Sequence, residues 1–152
     1  MELIKFINPK LIFLNQECST KDEFFKIIHD KALENGFVTD EFYTKVLARE
    51  NTFPTGINLG EFGVAIPHTD AEYIKEQFIA VCNFKSGVEF RSMEDENEKV
   101  NVKLAFVLGL NQPHSQLEVL QELMGIIQNS EAVKSLIECE NEDEIIKIIE
   151  SL

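Results

Sequence analysis

The sequence predicts a single α/β domain, built as a mostly parallel or mixed central β-sheet with helices on both faces. Apolar runs of strand length recur along the chain, and segments with the apolar spacing of amphipathic helices separate them. A chain of 152 residues fits one domain, which we expect to span residues 1–152. The hydrophobic share of 44% and the charged share of 27% are ordinary for a globular protein.

The first half of the chain predicts four elements. They are a strand at residues 11–14, a helix from Thr20 to Gly36, a helix from Thr39 or Asp40 to residues 49–51, and a strand at residues 62–66. Thr20 and Glu23 have the spacing of a capping box, and Gly36 is a typical helix stop. A loop that contains Pro54 and Gly60 connects the second helix to the second strand.

The second half of the chain predicts the central strands and then three helices. Its strands are at residues 77–84 and 100–110, with an edge strand at residues 88–90 between them. Its helices are one that begins at Ser115, a short one from Ser130 to residue 137, and a final amphipathic one that carries Ile145, Ile148, Ile149 and Leu152. Ser115 and Glu118 have capping-box spacing, which makes Ser115 the expected N-cap. His114 then lies just before the helix, beside unsatisfied N–H groups and the positive end of the helix dipole.

The charge balance argues against nucleic-acid and membrane-surface binding. The chain has 14 Lys and Arg against 27 Asp and Glu, a formal net charge of −13. Because nucleic acids and anionic membranes are bound through cations that neutralise phosphate, we expect neither as a partner. A basic protein partner, by contrast, would be steered into encounter. There is no apolar run of about 18 residues or more, so we expect no direct membrane insertion.

Cysteine usage and the amino-terminal residues predict a cytoplasmic protein. Cys18, Cys82 and Cys139 are odd in number and widely separated, without the spacing of a disulfide framework or a metal site. Residues 1–6 lack the charged, apolar and small-residue zones of a signal peptide.

The main functional signal is a histidine at the end of a buried strand. Residues 64–66 are apolar, Pro67 fixes the end of the strand because it cannot donate to the ladder, and His68 follows. Ligands and reacting groups gather at the carboxyl ends of strands in open α/β sheets. An imidazole with a reference pKa near ~6.5 is largely neutral and nucleophilic at physiological pH. We expect a hydrogen bond from its other nitrogen to fix the tautomer, with either a backbone carbonyl or Asp70 as the acceptor.

Arg49 and His114 are the other candidate site residues. Arg49 lies at a helix end next to the glycine-containing loop and can supply a planar, permanently charged clamp for phosphate. A neutral His114 at a helix start can donate a hydrogen bond to a phosphate oxygen. Thr55 and Thr69 offer hydroxyl donors nearby.

A metal site is a rival interpretation of some of the same residues. His68, Asp70 and His114 form a His-x-Asp pattern plus a distant histidine. Three such ligands and a water molecule would suit catalytic zinc.

The chain resembles an enzyme IIA domain of the bacterial phosphoenolpyruvate:sugar phosphotransferase system (PTS), of the mannitol/fructose class. The matching strings are Arg-Glu-Asn at residues 49–51, Thr-Gly-Ile at 55–57, Gly-Val-Ala-Ile-Pro-His at 63–68, and Pro-His at 113–114 running into Leu-Glu-Val-Leu at 117–120. The resemblance covers nearly the whole chain. In mannitol and fructose members a glycine commonly follows the histidine, whereas Thr69 and Asp70 follow here, which resembles the galactitol-type branch.

The resemblance implies a phosphocarrier that needs no metal or organic cofactor. His68 would accept a phosphoryl group from phosphorylated HPr and pass it to a cysteine of a IIB component, with the IIC permease involved indirectly. His114 and Arg49 would contact the phosphoryl group. Apart from what the resemblance implies, we expect Thr55, Thr69, Ser115 and Asp70 to bind the phosphoryl group or support the site.

Two related functions remain open at this point. A regulatory, nitrogen-related enzyme IIA would keep the same residues, and so would a mannitol- or fructose-type IIA. The identity of the sugar or polyol is not encoded in these residues, because the permease handles the sugar.

Overall fold

A five-stranded mixed β-sheet forms the centre of the molecule in the computed structural model, which describes residues 1–152. The strands are β1 (Ile7–Gln16), β2 (Gly56–Asn58), β3 (Gly63–Ala65), β4 (Phe78–Arg91) and β5 (Lys99–Gly109). The helices are α1 (Leu3–Phe6), α2 (Lys21–Glu34), α3 (Phe42–Thr52), α4 (Pro113–Ile127), α5 (Ser130–Glu138) and α6 (Glu142–Glu150), with one 3-10 turn at Ala71–Tyr73. None of the helices combines the length and apolar character that a membrane crossing needs.

The strand order is β1-β4-β5-β3-β2. β1 pairs with β4 and β3 pairs with β5 in parallel, whereas β4 with β5 and β2 with β3 are antiparallel. The predicted α/β class is confirmed, and the sheet is mixed rather than mostly parallel. Because β3 and β5 run in the same direction, their carboxyl ends meet at one edge of the sheet.

Alternate residues of the central strand β4 face two separate apolar cores. Phe78, Ala80 and Cys82 belong to the core that the sheet forms with α2 and α3. Ile79 and Val81 belong to the core that it forms with α1, α4, α5 and α6. This period-2 pattern places helices on both faces of the sheet, as predicted.

The predicted start and stop of α2 are confirmed. The Thr20 hydroxyl accepts a hydrogen bond from the Glu23 backbone N–H at 3.3 Å. The Glu23 carboxylate accepts one in return from the Ser19 N–H at 2.7 Å, one residue earlier than in the usual capping box. Gly36 follows the helix with φ of 77°, a left-handed conformation that favours glycine. α3 begins at Phe42, slightly later than predicted.

The prediction of a separate edge strand at residues 88–90 is wrong. These residues belong to β4, which runs from Phe78 to Arg91 and lies between β1 and β5. Gly87, with φ of 87°, lies at an irregularity in the β4–β5 pairing between Asn83 and Val88. The strand resumes its pairing beyond this bulge instead of ending there.

The predicted capping box at Ser115 and Glu118 is also wrong. α4 begins at Pro113, with Gln112 as the N-cap. Proline is favoured at the first helical position because its missing N–H would be unsatisfied there and its φ is already helical. The side-chain carbonyl of Gln77 accepts hydrogen bonds from the N–H groups of Asn111 and Gln112 and fixes this start.

The short helix α5 differs from its prediction at the cap, and it ends at Glu138, one residue later than predicted. Asn129, rather than Ser130, is the N-cap, since its side chain accepts a hydrogen bond from the Ala132 N–H at 3.1 Å.

Candidate functional site

His68 lies at the carboxyl edge of the sheet, next to the end of β5. The Leu108 N–H donates to the Pro67 carbonyl at 2.9 Å, and His68 forms an isolated parallel bridge with Leu108. These backbone contacts hold the histidine where β3 and β5 end together. The structure therefore places His68 at the strand-end position that the sequence predicts.

The backbone fixes the tautomer of His68. Its Nδ1 lies 3.0 Å from the Ile66 carbonyl oxygen. A carbonyl oxygen only accepts, so Nδ1 carries the hydrogen and Nε2 keeps its lone pair in the neutral ring. Of the two acceptors that the sequence left open, the carbonyl takes the bond. Asp70 instead lies beside Arg49, with 3.5 Å between Nη1 and Oδ1.

A pocket of about 240 Å³ opens beside His68. It is lined by Arg49, His68, Thr69, Asp70, Ala71, Leu108, Leu110, Gln116 and Leu120. The structure thus brings together four of the predicted site residues, which come from the end of α3 and from the segment after β3. A histidine, an arginine and an amide in one small pocket suit a compact anionic group.

Arg49 is presented by the last turn of α3. Its guanidinium carbon lies 5.1 Å from the centre of the Phe53 ring, one turn further along. The Arg49 Nε is buried and has no hydrogen-bond partner in the protein. Its side chain is 38% exposed and reaches Asp70 only at 3.5 Å. Arg49 therefore has donor capacity left for a ligand in the pocket.

Glu50, next to Arg49, positions the loop that leads to β2. This buried carboxylate accepts hydrogen bonds from the Thr55 N–H at 2.6 Å and the Thr55 hydroxyl at 2.7 Å. Burial raises the pKa of the Glu50 carboxyl, and the two bonds from Thr55 oppose that shift. The Thr55 carbonyl in turn accepts from the Ile66 N–H at 3.4 Å. Thr55 is thus buried, does not line the pocket, and is bonded to the segment that carries His68.

His114 and Ser115 do not line the pocket. His114 is in the first turn of α4 with its side chain 80% exposed, and its Nε2 lies 3.1 Å from Glu118 Oε1. Ser115 is buried, and its hydroxyl accepts from the Gln77 side chain at 3.4 Å. Because α4 begins at Pro113, both residues lie inside its first turn, whereas the sequence predicted that His114 precedes the helix and that Ser115 caps it.

Gln116, Leu120 and Glu50 were missed by sequence reasoning. Gln116 and Leu120 are four residues apart on α4, and this spacing puts them on one helix face. The signal available in the sequence was Pro113 as a first helical residue, which would have fixed that face. Glu50 was noted only as part of the Arg-Glu-Asn string, and its role in the loop could not be predicted because a glutamate at a helix end is usually solvated.

The structure does not support the zinc interpretation. It holds no group of three or more His, Cys, Asp or Glu side chains placed to share a metal ion. Asp70 lies beside Arg49 and His114 beside Glu118, so the two do not converge on His68.

The geometry of the pocket suits nucleophilic attack by His68 Nε2 on an anionic, electrophilic group. Nδ1 keeps its hydrogen and donates it to the Ile66 carbonyl, so no proton has to leave when Nε2 forms a bond. Arg49 lines the same pocket and can stabilise charge on the group that is transferred. This fold and site define an α/β protein with a nucleophilic histidine and an arginine in one pocket that suits an anionic group.

The chain belongs to the EIIA 2 family of the phosphoenolpyruvate-dependent sugar phosphotransferase system, whose sequence profile matches residues 5–152. This confirms the resemblance on which the sequence prediction was based. The family is one of phosphotransferases, which transfer phosphoryl groups.

Two curated relatives illustrate the range of the family. The chain is 34% identical over 117 residues to the PTS system galactitol-specific EIIA component of Escherichia coli (strain K12), a match that covers 77% of each chain. It is 31% identical over 141 residues to the mannitol-specific phosphotransferase enzyme IIA component of Bacillus subtilis (strain 168), covering 90% of this chain and 91% of the relative.

A solved structure confirms the fold. The chain superposes with a TM-score of 0.75 on enzyme IIAMTL in a complex of enzyme IIAMTL and phosphorylated enzyme IIBMTL from Escherichia coli. The match covers 96% of this chain and 98% of the other at 23% sequence identity. At this identity the likeness concerns the fold alone.

Proposed function

We propose that the protein is a PTS phosphocarrier that accepts a phosphoryl group from phosphorylated HPr on His68 and passes it to a cysteine of a IIB component. The observation that carries this proposal is the free Nε2 of His68, set by the bond from Nδ1 to the Ile66 carbonyl, in a pocket shared with Arg49. The IIC permease takes part indirectly, because it handles the sugar and this domain handles only the phosphoryl group.

The two transfers are in-line displacements at phosphorus. In the first, the P–N bond of the donor phosphohistidine breaks while the His68 Nε2 lone pair forms a new P–N bond. In the second, that bond breaks as a cysteine thiolate forms a P–S bond, and the electron pair returns to Nε2. Neither step needs much beyond alignment and cover for the charge on the equatorial oxygens. The guanidinium of Arg49 provides that cover in the proposal.

Exposed apolar side chains near the pocket support docking of protein partners there. Leu120 lines the pocket, and Leu117, one turn earlier on α4, is 60% exposed. Phe53, beside Arg49, is 62% exposed. Large apolar side chains around a charged centre are typical of protein interfaces. We propose that HPr and the IIB component use this surface in turn.

We propose galactitol-type uptake as the physiological role. The 34% identity to a galactitol-specific EIIA component and the Thr69–Asp70 pair after His68 both favour it. A mannitol-type role is the second candidate, favoured by the 31% identity to a mannitol-specific IIA component. The three cysteines are free thiols, which suits the cytoplasm as the place of transfer.

Labelling with phosphoenolpyruvate, enzyme I and HPr tests the central step. We expect one acid-labile phosphoryl group on the wild-type protein and none on the His68→Ala variant, because the nucleophile is gone. His29→Gln is the matched control, since His29 is buried away from the pocket. A His68→Ala protein that takes up the label to the wild-type extent would contradict the proposal.

The same labelled protein separates the physiological roles. Transfer of the label to the cysteine of a galactitol-type IIB, and not of a mannitol-type IIB, is the expected result. A regulatory, nitrogen-related role predicts no transfer to either IIB component.

A further inference from the structure

We propose that Glu50 is a positioning residue for phosphoryl transfer, which acts on Arg49 and His68 through its contacts to Thr55. This inference rests on the proposed function and adds a supporting residue to the site. Glu50 is 3% exposed and does not line the pocket, so its carboxylate does not touch the transferred group. Its effect on the reaction therefore has to pass through neighbouring residues.

The burial of Glu50 is the observation that needs a reason. Removing a carboxylate from water costs free energy unless hydrogen bonds or an ion pair compensate. None of the ion pairs in the protein involves Glu50. Both of its oxygens instead accept from Thr55, Oε2 from the backbone N–H at 2.6 Å and Oε1 from the hydroxyl at 2.7 Å. Two short bonds to a carboxylate hold the loop between these residues closed.

The closed loop fixes the side chain of Arg49. Arg49 and Glu50 are adjacent in the last turn of α3, and residues 51–54 lead from there to Thr55. The Phe53 N–H donates to the Arg49 carbonyl at 2.7 Å, and the Phe53 ring lies 5.1 Å from the guanidinium carbon. The conformation of the loop therefore determines where the Phe53 ring lies, and that ring supports Arg49 at the pocket.

The same loop is bonded to the segment that carries His68. Gly56 pairs with Ala65 in the antiparallel β2–β3 ladder. The bond from the Ile66 N–H to the Thr55 carbonyl, at 3.4 Å, continues that pairing by one residue. The Ile66 carbonyl then accepts the Nδ1 hydrogen of His68 at 3.0 Å. Two hydrogen bonds thus connect His68 to Thr55 through the backbone of Ile66.

Alignment is what phosphoryl transfer needs most from the protein. When the His68 Nε2 lone pair forms its P–N bond and the donor's P–N bond breaks, Nε2 has to be in line with the leaving nitrogen, and Arg49 has to cover the oxygens. A misplacement of about 1 Å costs about 100-fold in rate. Loss of the Glu50 contacts should therefore slow the transfer and weaken the preference for a hydrogen on Nδ1 of His68.

Glu50→Ala tests the proposal with two measurements. In single-turnover transfer from saturating phosphorylated HPr, we expect the rate to fall by roughly 10- to 100-fold. Imidazole ¹⁵N NMR spectra at about pH 8.5, where the ring is neutral, should show the hydrogen on Nδ1 of His68 in the wild type and a mixture of tautomers in the variant. Glu50→Gln should restore most of the rate, because its amide accepts from the Thr55 N–H and donates to the Thr55 hydroxyl.

Thr55→Val and Asn83→Ala complete the experiment. Thr55→Val keeps the size of the side chain and removes the hydroxyl, so it should slow the transfer less than Glu50→Ala. Asn83 is a buried residue outside the pocket that donates to the Leu136 and Cys139 carbonyls at 2.9 and 3.1 Å. Asn83→Ala should lower the stability and leave the transfer rate and the tautomer unchanged. Thermal unfolding shows which variants are folded at the assay temperature.

The outcomes separate this inference from the function on which it rests. If wild-type protein takes no label on His68, the phosphocarrier function itself fails. If the wild type is labelled but Glu50→Ala and Thr55→Val match it in rate and in tautomer, only the role of Glu50 is overturned. Equal slowing by Asn83→Ala would overturn it as well, and so would a Glu50→Gln rate no higher than that of Glu50→Ala. If Glu50→Ala does not fold, Thr55→Val decides the question with the same two measurements.

Discussion

At the scale of single residues, Arg49 packs against Phe53 while its guanidinium still has hydrogen-bond donors without a partner. The Phe53 ring holds the guanidinium carbon at 5.1 Å, and the contact to Asp70 is 3.5 Å long. The exposed carboxylate of Asp70 therefore keeps the arginine at the pocket without occupying all its donors. We infer that an incoming phosphoryl group replaces Asp70 as the main partner of Arg49, since it offers more charge at shorter range.

Arg49→Lys tests whether the shape of the cation matters. We expect phosphoryl transfer to His68 to slow by roughly 10- to 100-fold, because a lysine keeps the charge but cannot make two parallel hydrogen bonds. Arg91→Lys is the matched control, since Arg91 is the other arginine of the chain and lies outside the pocket. Rapid-quench measurement of single-turnover transfer gives both rates. Equal rates for Arg49→Lys and Arg91→Lys would contradict the two-pronged contact.

The position of a residue could be predicted where a strand end determines it. It could not be predicted where it depends on the residue at which a helix begins. His68 follows a proline that ends a buried strand, so its place at the sheet edge could be read from the sequence. Gln116 and His114 depend on where α4 begins. A capping-box pattern at Ser115 competed with Pro113, and the proline determined the start.

At the scale of elements, α3 matters because it carries Arg49 and Glu50 at its end. Its own N-cap residue, Glu41, makes no capping bond with its side chain. His29 of α2 replaces it, since its Nδ1 accepts a hydrogen bond from the Tyr43 N–H at 3.1 Å. Burial lowers the pKa of His29, and nearby Lys26 lowers it further. Asp30 and Asp40 oppose this shift. The neutral ring thus caps one helix from another.

This cap gives the protein a specific sensitivity to acid. A folded-state pKa below the ordinary ~6.5 means that the stabilisation is fully present above about pH 6.5 and is lost as the pH falls through the lower, folded value. His29→Gln keeps an acceptor but does not titrate. We expect this variant to lose less stability than wild type between pH 7.5 and pH 5, as measured by urea unfolding, by ~1 kcal/mol at most.

His114→Gln is the control for the acid effect, because it replaces an exposed histidine on α4. Its stability should follow the wild-type pH profile. Identical pH profiles for His29→Gln and wild type would show that the imidazole of His29 does not act as a cap that protonation removes.

At the scale of the whole molecule, one sheet joins two cores. The strands predicted at residues 77–84 and 100–110 correspond to β4 and β5, the central pair that contributes to both cores. The class of fold followed from these apolar runs and the helices between them. The pairing register of the strands and their order in the sheet could not be predicted from the sequence. Apolar runs in central strands are buried on both faces, so one such strand resembles another.

Because both cores contain residues of the same sheet, we expect them to unfold together. Leu123 of α4 is fully buried in the core opposite α2 and α3, and Leu123→Ala should destabilise the protein by about 2–5 kcal/mol. The chain has no tryptophan, and one of its two tyrosines, Tyr43, packs against the other core. The unfolding transitions followed by tyrosine fluorescence and by far-UV circular dichroism should therefore shift to lower temperature by the same amount.

Leu117→Ala is the control, because Leu117 is on the exposed side of the same helix, and it should shift neither transition. A fluorescence transition that stays at the wild-type temperature while the dichroism shifts would mean that the two cores unfold independently.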